Sequence, residues 1–298
     1  LISSPALVGS TVYTGAMDGK VSAFNASSGA LIWSYATGDR IDSSPAVVNG
    51  VLYIGSYDQH VYALNASSGT LLWSYLTGDA VESSPTVSAG RVYVGSDDGR
   101  IYALNASTGA LLWSYTTGKR VFSSPAVDSS QSVVGFTIVF VGSDDGCIYA
   151  LNANNGALVW SYTTAGAVRS SPRITNGIVY AGSGDGKIYA LNEGTGALTW
   201  SFSTGDAVES SPRIASGILY IGSNDFKVYA LTASLGNLVW SYTTAGSVFS
   251  SPAVASGIVY VGSDDGRVYA LSSGSLVWSS STGSSVQASP AQTSSQGL

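Results

Sequence analysis

Short apolar runs, each broken by a polar, glycine-containing turn, dominate this chain. From Ser83 to Tyr115 it reads SSPTVSAGRVYVGSDDGRIYALNASTGALLWSY. The pattern predicts four strands, at 84–87, 91–96, 100–105 and 110–115. Asp98-Gly99 is read as a type I′ hairpin turn, because both residues tolerate positive φ. Simple alternation puts Tyr93 and Tyr102 on one side and Val92, Val94 and Ala103 on the other. It groups Leu111 with Trp113 and Tyr115, opposite Leu112 and Ser114. Both faces are apolar, so each sheet must lie between two others. No segment carries a helical period.

The unit recurs seven times. Trp33, Trp73, Trp113, Trp160, Trp200, Trp240 and Trp278 are spaced by 40, 40, 47, 40, 40 and 38 residues. All eight prolines stand in Ser-Ser-Pro or, at the end, Ala-Ser-Pro. Repeats of four short strands near 40 residues predict propeller blades. The expected fold is all-β: a single seven-bladed β-propeller, four antiparallel strands per blade. An eight-bladed ring would need a further part-blade from outside this sequence. The propeller is assigned to 1–283, and 284–298 to a surplus strand or tail at the ring seam. Residues 2–8 fit the first strand of blade one better than 286–292 do, since SSPALV matches the repeat and ASPAQT ends polar. Seven extra residues fall near 128–137, after a first strand. Ser22 and Ser280 replace repeated aromatics in the first and last blades, so the seam is expected to be the weakest junction.

The run AxNxxxGxxxW, as in Ala103, Asn105, Gly109 and Trp113, resembles the AxDxxTGxxxW tryptophan-docking motif of quinoprotein-type (PQQ-like) propeller repeats. Asn25, Asn65, Asn105, Asn152 and Asn192 stand where that family usually has Asp, and Thr232 and Ser272 do so in the last two blades. The resemblance implies tryptophans docked on the neighbouring blade. It does not imply the quinone, because many members are non-catalytic scaffolds or sensors. It also implies export, to the periplasm, cell surface or extracellular space. The start at Leu1 without a visible targeting signal is read as a mature or excised fragment.

Composition narrows the chemistry. Only 10% of the 298 residues are charged, with a net charge of −6, which argues against nucleic acid and acidic membranes as partners. No apolar run approaches the ~18 residues of a membrane span. A single cysteine, Cys147, rules out an internal disulfide, and a single histidine, His60, rules out a histidine metal cluster. Both stand at turn or strand-start positions and are read as structural. Gly182 to Lys187 precedes a strand rather than a helix, so it is a hairpin and not a phosphate loop. One Asp per blade, such as Asp58, Asp98 and Asp185, is read as turn chemistry rather than a calcium set. The Asn-Ala-Ser sequons at Asn25, Asn65 and Asn105 are read as turns too.

Repeat-to-repeat variation points elsewhere. Residues flanking Ser-Ser-Pro escape the uniformity: Asp42, Glu82, Phe122, Arg169, Glu209 and Phe249 before it, Arg173 and Arg213 after it. Lys119 and Arg120 add charge from a preceding loop. With alternating strands, these loops and the Asp-Gly hairpins lie on one propeller face and would ring the channel mouth. The expected function is a non-catalytic binding scaffold, with no cofactor and no metal. Its partner would be a protein, or a small anionic or polar ligand, at that mouth. Arg169 and Arg173 together are expected to favour an anion. The alternatives are a surface-layer or filament subunit, self-associating through the terminal strand, and a quinone-dependent dehydrogenase. The resemblance argues against the last, because such members are longer, have eight blades, and use vicinal cysteines and acidic calcium ligands.

Overall fold

A computed structural model describes residues 3–128 and 135–290. These form seven four-stranded antiparallel sheets, each a simple meander in sequence order. The chain is a seven-bladed β-propeller, with blades at 6–36, 46–76, 86–116, 126–163, 173–203, 213–243 and 253–281. One compact unit holds blades one to three, through Phe122; a second, Ser123–Pro290, holds blades four to seven.

Blade three shows how the sequence makes a blade. Its strands are Thr86–Ser88, Arg91–Gly95, Arg100–Asn105 and Leu111–Thr116. Pairing sets Tyr93 opposite Ala103 and Val94 opposite Tyr102. Cross-strand partners share a face, so Tyr93 and Tyr102 point to opposite sides, contrary to the reading from alternation. That reading crossed a turn whose length shifts the phase. A second correction concerns the fourth strand. The register slips between Trp113, opposite Ala103, and Leu111, opposite Leu104. This bulge separates Leu111 from the face of Trp113, and both Leu111 and Leu112 are exposed.

The Asp98-Gly99 turn is not type I′. Gly99 has a positive φ of 80° and Asp98 does not. Gly99 N–H donates to Ser96 O, and Asp98 Oδ1 accepts from Arg100 N–H at 2.9 Å. The result is a type I turn closed by a left-handed glycine. A true two-residue turn occurs in blade seven, where Ser273 and Gly274 have φ of 49° and 80° and Ser272 pairs with Ser275. That shorter turn accounts for the last, 38-residue spacing.

Within each unit, neighbouring blades pack face to face. Tyr53, Val61, Ala63 and Trp73 of blade two meet Val92, Val94, Tyr102 and Leu104 of blade three. Trp73 Nε1–H donates to Ala106 O at 2.9 Å, and Tyr53 O–H donates to the same oxygen. Trp33, Trp160 and Trp200 make the equivalent bond to Ala66, Glu193 and Ala233. The carbonyls sit in turns wound by the repeated asparagine. Asn65 Oδ1, for example, accepts from the backbone N–H of Ser67 and Ser68.

Both serines of Ser-Ser-Pro have work that the sequence reading missed. The first clamps its own blade: Ser83 Oγ accepts from Gly95 N–H. The second ties blades together: Ser44 N–H donates to Ser84 Oγ at 2.8 Å, and Ser171 N–H to Ser211 Oγ at 2.9 Å. In the second unit the series ends on Ser289, whose Oγ accepts from Ser251 N–H.

At the ends, Ala6–Val8 supplies the first strand of blade one, paired with 11–13. The surplus strand expected at 286–292 is not a strand over 286–290. There the chain is held as an entry loop, with Val286 N–H on Ser263 O. Residues 291 and 292 lie outside the described residues. The insertion falls between Ala126–Asp128 and Ile138–Gly142, and 129–134 of it lie outside them too.

Candidate functional site

The loops entering each blade are held against the Asp-bearing hairpins by backbone and carboxylate bonds. Val81 N–H donates to Ser56 O, while Asp97 N–H donates to Ala80 O. The loop entering blade three thus lies between the hairpins of blades two and three. The repeated Asp locks the arrangement. Asp58 Oδ2 accepts from Gly38 N–H at 2.6 Å and Tyr62 O–H at 2.7 Å, and its Oδ1 accepts from His60 N–H. Burial and this bond raise the Tyr62 phenol well above its ordinary range. These carboxylates are structural ties. Variable entry residues therefore share one face, within each unit, with the first residue of each hairpin.

In the first unit this face carries a mixed-charge cluster. The Arg40 guanidinium lies 3.7 Å from the centre of the Tyr57 ring, and its Nε is 3.7 Å from Asp42 Oδ2. Asp42 is buried, and its Oδ1 has no hydrogen-bond partner. Glu82 faces both Tyr57 and Asp97. Burial, then the Glu82 charge, push the Asp97 carboxyl up to about 7, against the opposing pull of Arg120. Arg120 approaches Asp97 Oδ2 at 3.9 Å. Lys119 is exposed and Phe122 half-buried at its margin.

In the second unit Arg169 is neutralised. Its Nε and Nη2 donate to both oxygens of Asp144, at 3.0 and 3.3 Å, and Nη1 donates to Glu209 at 3.3 Å. The bond to Asp144 holds its pKa above the ordinary arginine value. Arg173 and Arg213, on the first strands of blades five and six, bond to neither of these carboxylates. Phe249 is half-buried. Arg169 is thus a paired guanidinium, whereas among the described residues Arg173 and Arg213 have no carboxylate partner.

Sequence reasoning missed Tyr57 and the pairing roles of Asp97 and Asp144. The signal was present, since the first hairpin residue varies as widely as the entry residue, from Met17 to Tyr57, Asp97, Gly184 and Asn224. It also missed Glu193, which replaces the alanine of Ala66, Ala106, Ala153 and Ala233. Glu193 is 2% exposed, and burial, then Asp128, lift its carboxyl to about 7. His60 Nδ1 lies 2.9 Å from Asp58 O, with its ring against Tyr62, and it is half-buried. Cys147 Sγ lies 3.4 Å from Thr163 Oγ1. A separate cleft of about 960 Å³ opens between blades one and two, lined by Val8, Ile32, Val47, Val51 and Asn65 among others. Among the described residues no three His, Cys, Asp or Glu side chains are grouped to hold a metal ion. Among the described residues no helix is long and apolar enough to cross a membrane.

Seven blades of this repeat, with Trp33, Trp73, Trp160 and Trp200 bonded to the next blade's turn, make a PQQ-like propeller. The chain belongs to the family described as outer membrane protein assembly factor BamB, whose model matches residues 2–133, 131–245 and 184–297. No curated protein sequence matches the chain. Among solved structures, BamB from Moraxella catarrhalis is 21% identical, with a TM-score of 0.83 over 96% of this chain and 90% of that one. The computationally designed Ika8 protein is also 21% identical, with a TM-score of 0.84 over 96% and 89%. Quinohemoprotein alcohol dehydrogenase ADHIIG from Pseudomonas putida HK5 is 18% identical, with a TM-score of 0.79 over 98% of this chain and 68% of that one. At such identities these likenesses show the fold.

Proposed function

We propose that this chain is a non-catalytic propeller that binds protein partners through its entry-loop face. One observation carries the reading. Positions that pack blades together are nearly invariant from repeat to repeat, whereas the entry and hairpin residues vary and hold charge and aromatic groups at the surface. The family description, an outer membrane protein assembly factor, supports a protein as the partner class and export to the bacterial envelope as the location. The contact set is Glu82, Lys119, Arg120 and Phe122 in the first unit, beside the buried Asp42, with Arg169, Glu209 and Phe249 in the second.

A quinone-dependent dehydrogenase shares the fold, but the residues here do not fit the group. Cys147 is the one cysteine in the sequence. The once-per-blade carboxylates are engaged by backbone N–H groups and tyrosines, as Asp185 is by Lys187, Ala165 and Tyr189.

The reading is tested by placing a photocrosslinking residue at Lys119 or Phe249, and in control chains at Ser67 or Asn154 in the turns between third and fourth strands. Envelope-protein adducts are expected from the first two positions. Equal adducts from all four would remove the entry-loop face as the site. Quinone- and calcium-dependent alcohol oxidation above background would overturn the non-catalytic reading.

A further inference from the structure

The residue directly after the repeated proline begins the first strand of every blade. It is small in five blades: Ala6, Ala46, Thr86, Ala126 and Ala253. Blade packing therefore asks for little volume there. Arg173 and Arg213 break this pattern, and they do so in consecutive blades.

The fold brings the two cations near each other. Two residues upstream, Ser171 N–H is bonded to Ser211 Oγ at 2.9 Å, so the two first strands start side by side. Arg173 is registered opposite Tyr180, and Arg213 opposite Tyr220. Arg213 is half-buried, its Nε is shielded from solvent, and that atom has no hydrogen-bond partner. Among the described residues neither guanidinium has an ion pair. The carboxylate nearest in sequence, Glu209, is engaged by Arg169.

Two like charges held together, one of them partly desolvated, are unfavourable unless something neutralises them. Burial, then the Arg173 charge, lower the pKa of Arg213 from its ordinary value, which expresses the same conflict. A guanidinium fork matches the paired oxygens of phosphate or carboxylate, and a buried unpaired Nε–H is the donor such a ligand would satisfy.

We propose that Arg173 and Arg213 form a binding site for a small oxyanion carrying two negative charges, a phosphate monoester or a dicarboxylate. The site does not draw on the carboxylates that Arg169 engages, and it is independent of the protein-binding reading above.

The test is titration of the whole chain with inorganic phosphate, phosphoserine and succinate, followed by calorimetry and by the arginine Nε–H resonances in NMR. Saturable binding is expected, with the Arg213 Nε–H signal shifting. Affinity should fall about tenfold or more in Arg173→Gln and in Arg213→Gln, and less in Arg213→Lys, which keeps charge but loses the fork. Preference for the phosphates or for succinate identifies the ligand chemistry. Saturable binding that survives both glutamine variants would overturn the site, as would no binding and no shift of the Arg213 signal with any of the three. The wild-type resonance decides the matter even if a variant fails to fold. Photocrosslinking from Lys119 should be unchanged by these variants, so the two proposals fail separately.

Discussion

Trp73 and Trp278 occupy the same strand position, each opposite an alanine, yet they live in different surroundings. Trp73 is 9% exposed, bonds to Ala106 O, and lies against Gly109 of the next blade. Trp278 is 45% exposed. Trp240 is intermediate: blade seven's two-residue turn puts Gly274 against its ring, but among the described residues its Nε1–H makes no hydrogen bond. The tryptophan's value is thus set by the turn it meets and not by the strand that carries it. The largest effect follows. Trp73→Ala should cost about 3–5 kcal/mol, whereas Trp278→Ala should cost under about 1 kcal/mol. Urea denaturation of the two variants measures this, and equal losses would break the comparison.

The same contrast can be drawn inside blade three. Gly90 and Gly109 share a left-handed backbone, with φ of 73° and 72°. A Cβ at Gly90 meets nothing within 4 Å, while at Gly109 it would lie 2.7 Å from the Trp73 ring. Gly90→Ala should therefore lose about 1–2 kcal/mol of backbone strain alone. Gly109→Ala should lose that and a further roughly 1–3 kcal/mol of overpacking. A Gly109→Ala chain as stable as Gly90→Ala would show that the ring can move aside.

Much of this was legible in the sequence. Blade number, strand order and the shared face of entry loops and hairpins all follow from spacing, because turn residues and period-two patterning act locally. Three things were not. The faces of Tyr93 and Tyr102 depend on turn length, and a change of one residue reverses a strand. The exposure of Leu111 depends on a bulge with no residue signature of its own. The pairing of Arg169 depends on Asp144, 25 residues away, and residue types alone could not show which of several nearby arginines it would satisfy. For the candidate site, the positions were readable from their variability, but their partners were not.

Terminal and interior blades also differ at the repeated Asp. Asp185 accepts from Lys187 N–H, from Ala165 N–H of the preceding blade, and from Tyr189 O–H. Among the described residues Asp18, in blade one, serves only its own turn, through Lys20 N–H and the exposed Lys20 ammonium. Asp185→Ala should destabilise by about 1–3 kcal/mol, because partly buried donors lose their acceptor. Asp18→Ala should stay within about 0.5 kcal/mol. Thermal melts of the two variants sharpen the rule that inter-blade ties outweigh turn bonds; comparable shifts would refute it.

The smallest effect separates two acidic sites from the carboxylates that serve as ties. Asp97 in the first unit and Glu193 in the second both have carboxyls lifted to about 7, chiefly by burial. Their ordinary values are 3.8 and 4.5. Between those values and 7 the folded chain holds protons that the unfolded chain has released. Unfolding then releases protons, so stability falls as pH rises through this window and the contribution is fullest below about pH 4. One proton gives at most about 1.4 kcal/mol per pH unit, and solvent screening at partly exposed Asp97 reduces it. Urea midpoints should therefore decline from pH 5 to pH 7 and level off by pH 8. Asp97→Asn and Glu193→Gln cannot ionise, so each should flatten part of the slope, and the double variant most of it. A slope unchanged in the double variant would place the pH dependence on other groups and leave both carboxyls ordinary.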